Sequence, residues 1–325
     1  MRALLTSLLI VVAAAANSQS SSGAEAVDSY PAHAVKIIVP VPPGTAPDII
    51  ARLLGVELST EWRQPVIIEN RPGAAQNFGA ELVAKASPDG YTFLVTPQGP
   101  LVISQSLFSN LRFDPAAFVP ITVLSEQPLV LIASAGSSFK SLDDLLRYAK
   151  RRPGEVTFAS PGVGSSPHLA GVILQHATGI QLLHVPYKGL GEAMEDVISG
   201  RVQIMFDNLS NAIPHVRNGT LRALAITGPG RSRILPHVPA LNETAPGTYP
   251  TSWFAMVAPP GTPPAVVEKL SHDVVHALHA PTVQSKFQNM LLRTVASSPE
   301  ETKAFLQREA ALWRDVIKTN GIALH

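Results

Sequence analysis

The chain contains no cysteine. That absence excludes disulfides, thiolate metal centres, a cysteine nucleophile and a lipid anchored through an N-terminal cysteine. Charge is sparse as well: 15% of the 325 residues are charged, and 25 basic side chains nearly balance 24 acidic ones. A groove that neutralises nucleic-acid phosphates needs clustered Lys and Arg. The densest cluster here, Lys150-Arg151-Arg152, falls at the end of a predicted helix, where cations favour the dipole. Nucleic acid is therefore not an expected partner. Beyond the N-terminus no apolar run approaches the roughly 20 residues needed to span a bilayer.

The N-terminus has its own pattern. Arg2 precedes an apolar run over 4–16, and Ala24-Glu25-Ala26 offers a small-x-small cleavage site. Residues 1–26 thus read as a secretory signal peptide, with a run too short for a membrane helix, and predict export to a periplasm.

Proline is plentiful: 29 residues, spread along strand and helix ends instead of pooled in one tract. Between these breaks, strand-like runs alternate with amphipathic helical ones, which predicts an α/β fold of mainly parallel sheets flanked by helices. Strands are expected at 35–41, 65–69, 91–96, 155–159, 181–185, 201–206, 221–227 and 251–259. Helices are expected at 47–61, 76–86, 166–178, 190–199, 208–218, 264–279, 281–292 and 299–319, with another opened by Ser141. The expected division is a first lobe of 27–131 plus 252–325, and a second lobe, 132–251, inserted between its halves. If strand 251–259 returns to the first lobe, two segments connect the lobes and a hinge becomes mechanically sensible.

Two segments repeat one design. VKIIVPVPPGTAPDIIAR (35–52) and VTFASPGVGSSPHLAG (156–171) each run from an apolar strand through a Gly/Pro turn into a helix. Such a junction aims unpaired N–H groups and the positive end of a helix dipole beyond the strand, and so favours an anion. Neither loop holds Lys, Arg or a metal-ligand cluster. Capture by amides and hydroxyls is expected, with no cofactor and no metal.

Other readings of these residues are weaker. The stretch 162–166 lacks the Gly-Lys-Ser/Thr of a phosphate loop and the third glycine of a dinucleotide fingerprint. Ser165 and His168 invite a nucleophile-and-base reading, but no Gly-x-Ser-x-Gly elbow is present, and Ser before a small residue and Pro is a helix N-cap. His272, His276 and His279 share a helix face opposite the apolar stripe Val267, Leu270, Val274 and Leu278, which predicts a solvated surface. Asp48 and Arg52 form an i,i+4 pair that supports their helix. Lys188 either meets a ligand or lines a lobe surface, and Asp207 either caps the next helix or receives a polar ligand group.

Taken with VIIENRPGAAQNFGAELVAKASPDGYTFL, HVPYKGLGEAMEDVISGRVQIMFDN, RSRILPHVPALNE and WFAMVAPPGTPPAVVEKL, the two junction segments resemble the Bug family of extracytoplasmic solute receptors. These are the binding components of tripartite tricarboxylate transporters. The resemblance covers nearly the whole chain after residue 26. It implies a two-lobed, type II-like Venus-flytrap periplasmic binding protein that is not an enzyme. Such a receptor holds a small organic carboxylate in its cleft, delivers it to membrane permease subunits and acts as a monomer. By position, the first-lobe grip falls on Pro43, Gly44, Thr45 and Ala46, with Gln76, Asn77, Thr96 and Gln98 nearby. The second-lobe grip falls on Ser160, Gly162, Val163, Gly164, Ser165 and His168, with Tyr187, Lys188 and Asp207 at strand ends facing the same cleft. Departures occur at Gly44-Thr45, at Gly73-Ala74-Ala75-Gln76-Asn77, at His237 and at Ala255, where relatives often carry other residues. Two other roles stay open at this level: a sensing receptor for a membrane signalling protein, and an exported hydrolase using Ser165.

Overall fold

A computed structural model describes residues 29–319 apart from 229 and 246–249; the predicted signal peptide, 1–26, lies outside the described residues. In chain order the first part comprises β1 (Val35–Val39), α1 (Ala46–Trp62), β2 (Val66–Asn70), α2 (Asn77–Ala84), β3 (Thr92–Pro97), α3 (Ser104–Leu107) and β4 (Val119–Ser134). Next come α4 (Leu142–Arg151), β5 (Val156–Ser160), α5 (Ser166–Thr178), β6 (Leu182–Pro186), α6 (Leu190–Ile198), β7 (Ile204–Asn208), α7 (Leu209–Arg217), β8 (Leu221–Ile226) and α8 (Leu241–Thr244). The last part holds β9 (Thr251–Ala258), α9 (Pro264–Leu278), α10 (Pro281–Asn289), β10 (Arg293–Thr294) and α11 (Pro299–Thr319).

β1 is apolar on both faces because both faces are covered, as strands of a parallel sheet require. Val35, Ile37 and Val39 pack with Ile50, Leu54 and Leu58 of α1 and with α9. Ile38 points the other way, into a second core that holds Ala80 and Val83 of α2 and extends to Trp313 and Ile317 of α11. The second lobe repeats this layering. Leu129, Leu131, Phe158 and Phe206 face α4 and α5, while Val130, Ile132, Ala159 and Met205 face α6 and α7. Period-2 alternation along each strand therefore feeds two cores per lobe.

The parallel part of each sheet is its outer part: β2-β1-β3 in one, β6-β5-β7 in the other. Antiparallel strands join them. β9 pairs β3 and the first half of β4, and from Leu129 onward β4 pairs β7 and β8 instead. One 16-residue strand thus belongs to both sheets, changing partners between Pro128 and Leu129. The sequence shows only its apolar end, 129–134. Its first part carries Pro120, Pro128, Ser125, Glu126 and Gln127, and register shifts at Pro120/Thr122 and Val123/Ser125 break the alternation.

Candidate functional site

The carboxyl ends of β1, β3, β5 and β7 converge on a cleft of about 1000 Å³, the place where open α/β sheets present ligand sites. The two junction segments face it with closely similar geometry from the glycine before the cap onward. Gly44 and Gly164 both have φ 82°, a left-handed conformation natural to glycine. Thr45 and Ser165 follow as extended helix caps, with φ/ψ of −77°/162° and −70°/155°. Thr45 Oγ1 donates to Pro42 O at 2.8 Å, and Ser165 Oγ donates to Gly162 O at 2.7 Å, each three residues back. Pro47 and Pro167 then open the helices, where a missing N–H costs nothing.

The third helical residue closes each loop. Gly44 N–H donates to Asp48 Oδ2 at 2.8 Å, and Gly164 N–H donates to His168 Nδ1 at 3.2 Å. Asp48 is buried, and besides Gly44 it accepts Asn70 Nδ2 at 2.9 Å and Arg52 Nε at 3.1 Å. Burial pushes its carboxyl pKa up, but the bonds from Arg52, Gly44 and Asn70 outweigh that and hold it below the usual range. The sequence shows Asp48 only as half of an i,i+4 pair with Arg52; in the fold its side chain is a buried anchor of the loop.

His168 is buried against Phe158 and His184, with ring centroids 6.2 Å and 4.2 Å away. Burial, then the neighbouring His184, drives its pKa down to about 3, so the ring is neutral and Nδ1 can accept. His184, pushed to about 4 by burial, lies with Nε2 2.7 Å from Ser160 Oγ. Ser160 Oγ also accepts the Gly162 N–H at 3.2 Å.

This wiring redistributes the expected grip. The amides of Gly44, Gly162, Gly164 and Ser165 bond within their own loops. Those of Thr45, Ala46, Val163 and Ser166 have no acceptor among the described residues, and all four residues line the cleft. Gln76, Tyr187, Lys188 and Asp207 line it too. Tyr187 commits its hydroxyl to Asp196 Oδ2 at 2.6 Å. Asp207 has no exposed surface. Its Oδ1 accepts from Asn208 N–H and Asn211 Nδ2, whereas Oδ2 has no partner, and burial raises its pKa to about 7.

The remaining sequence candidates do not form the cleft wall. Pro43 is exposed beside it. Asn77, Thr96, Gln98, Ser160 and His168 are buried, with Thr96 Oγ1 on Pro97 O and neither side-chain amide atom of Gln98 partnered. Ile103, Ser104, Leu107 and Phe108 contribute lining that the sequence did not reveal. They lie on a π-helical turn, Gly99–Ile103, and the single turn of α3, too short to show a helical period. A Cβ at Gly164 would stand 2.6 Å from Leu107 Cδ1, so the lobes touch across the cleft at this glycine.

Ser165 Oγ bonds Gly162 O and the His168 N–H, not the imidazole, which is capping geometry and not that of a nucleophile with its base. His272, His276 and His279 are exposed, and among the described residues no group of three His, Cys, Asp or Glu is placed to hold a metal.

The cleft edge near Gln76 carries strain. Ala74, Ala75 and Gln76 have φ of 48°, 52° and 76°, a region that costs a non-glycine residue about 1–2 kcal/mol. Ala75→Gly is expected to stabilise the protein by about 1 kcal/mol, checked by denaturant unfolding.

Comparison with known proteins settles the family. A model described as the tripartite tricarboxylate transporter family receptor matches residues 50–322. The chain belongs to that family. BugT of Bordetella pertussis is a relative, 34% identical over 323 residues, spanning 98% of this chain and 99% of BugT. Among solved structures, Rpa4515 of R. palustris with adipate shares 33% identity and a TM-score of 0.82, covering 91% of this chain and 100% of that one. MatC from Rhodopseudomonas palustris with bound malate gives 30% identity and a TM-score of 0.79, covering 89% and 100%. The protein is thus a solute receptor of the Bug type with the two-lobed periplasmic binding fold. The junction segments of this receptor are the two loops that meet at its cleft.

Proposed function

We propose that this receptor is exported to the periplasm, closes its lobes on a small organic carboxylate and presents it, as a monomer, to the permease subunits of a tripartite tricarboxylate transporter. The observation carrying this reading is the pair of matched loops with unpartnered amides at Thr45, Ala46, Val163 and Ser166 on opposite walls of one cleft. A carboxylate accepts several such bonds, and in a cleft shielded from water charge-assisted bonds outrank neutral ones. The solved structures of Rpa4515 with adipate and MatC with bound malate support the ligand class. At the far end of the ligand, Lys188 supplies a cation for its variable part, with the buried Asp207 carboxyl beneath the wall. The lobes are 27–131 with 252–325 and 132–251, moving about β4 near Pro128 and the return into β9. Residues 1–26 serve as the export signal. The chain works as a receptor and not as an enzyme, in keeping with the main-chain engagement of the Ser165 hydroxyl.

The test is a thermal-shift panel of aliphatic di- and tricarboxylates, aromatic acids and acidic amino acids, run on protein refolded after denaturation to strip bound ligand. A true ligand at 100 times its dissociation constant is expected to add about 2.7 kcal/mol of stability. No shift with any acid, in protein that has refolded, would refute the reading.

A further inference from the structure

The two grip loops share one register: Gly44-Thr45-Ala46-Pro47-Asp48 aligns with Gly164-Ser165-Ser166-Pro167-His168, while the two residues before each glycine differ, Pro42-Pro43 against Gly162-Val163 with Gly162 at φ 127°. The match extends to the glycine φ, the cap conformation, the hydroxyl bond three residues back and the bond from the glycine N–H to the side chain four residues on. We propose that Asp48 and His168 are paired positioning residues: each draws one glycine amide inward, and this turns the neighbouring amides, Thr45 and Ala46 or Val163 and Ser166, toward the ligand.

A helix start has four N–H groups without intrahelical acceptors, and a tight turn before it adds more. If all were free, the loop could rotate among several arrangements, each offering different donors. Fixing one amide by a side chain within the same turn leaves a single arrangement, so less ordering is needed when the ligand arrives. Both anchors are buried and held from behind. Asp48 is fixed by Arg52 and Asn70, and His168 by the stack of Phe158 and His184. Neither residue lines the cleft, so each acts through its glycine and not by touching ligand. The anchors differ in chemistry: one is a carboxylate with a guanidinium partner, the other an imidazole lone pair.

This inference rests on the receptor reading for its affinity arm but not for its structural arm. In ligand-free protein, hydrogen exchange followed by NMR is expected to show Gly44 and Gly164 amides exchanging about tenfold or more slowly than those of Thr45, Ala46, Val163 and Ser166. Fast exchange at Gly44 and Gly164 in folded wild type overturns the proposal whether or not any acid binds. For the affinity arm, adipate and malate serve as probes in calorimetry. His168→Leu is expected to weaken binding of whichever probe binds by about tenfold or more, equivalent to 1.4 kcal/mol. His168→Asn, whose Oδ1 falls near the position of Nδ1, is expected to restore it to within about threefold and to slow Gly164 exchange again. Asp48→Asn keeps one of two acceptor oxygens and is expected to fall between wild type and Asp48→Leu. An unchanged dissociation constant in folded His168→Leu, or no rescue by asparagine, overturns the proposal. If neither probe binds while the two glycine amides stay protected, the positioning role stands and the ligand class fails.

Discussion

Asp207→Asn is expected to raise the stability of the ligand-free protein by about 2 kcal/mol at pH 8 and to give no gain at pH 4. Burial lifts the Asp207 pKa from 3.8 to about 7. The native state therefore keeps a proton that the unfolded chain releases, and stability that is present in acid is lost as pH rises from about 4 through 7. Asparagine retains an oxygen for the Asn208 and Asn211 donors but cannot ionise. Against that, its own N–H group takes the place of the unpartnered Oδ2 and costs part of the gain. Urea unfolding of both proteins from pH 4 to 8 provides the check, and a gain of the same size at both ends would show that desolvation of the carboxylate is not the cause. A cleft-wall residue that lowers stability at neutral pH is the kind of local conflict expected where function constrains sequence.

The second large effect has the opposite sign. His168 and His184 have pKa values lowered to about 3 and about 4. Their neutral forms belong to the native state, so the stability they contribute is fully present above about pH 6.5 and is lost as pH falls toward those values. At pH 5 both native pKa values still lie below the solution pH, so each ring loses about 2 kcal/mol, at 1.36 kcal/mol per pKa unit between 6.5 and 5. In wild type this trend is partly cancelled by Asp207, which gains stability over the same range. The clean measurement is therefore in the Asp207→Asn background, where unfolding free energy is expected to fall by about 2 kcal/mol or more between pH 8 and pH 5. Adding His168→Asn should remove about half of that slope, and the His184 contribution should remain. A steep slope that survives both substitutions would place the titrating group elsewhere.

Much of this was readable from the amino-acid sequence because the decisive chemistry is local. The Gly-Thr/Ser-x-Pro turns, the Ser165 cap and the glycine after α5 all act within a few residues, and α5, α9 and α11 begin where their prolines and caps indicate. β4 was legible only at its apolar end, since its first half owes its conformation to β9 and β10, more than 120 residues away. In the cleft, the loop positions were found, but their wiring was not. Asp48 has an adequate local explanation in Arg52, four residues on, and nothing in one sequence shows that Gly44 and Asn70 also need it. The same holds for Thr96, Gln98 and Ser160, which the family resemblance places at the cleft by position and side-chain packing places behind it.

The shared strand has an evolutionary corollary. Because β4 donates its opening half to one sheet and its final six residues to the other, neither half of the receptor is a module that recombination can trade intact: excising one would leave raw strand edges in both. New specificities in such an architecture must come from residue replacement on the rim turns, while the continuous ribbon beneath them is inherited whole.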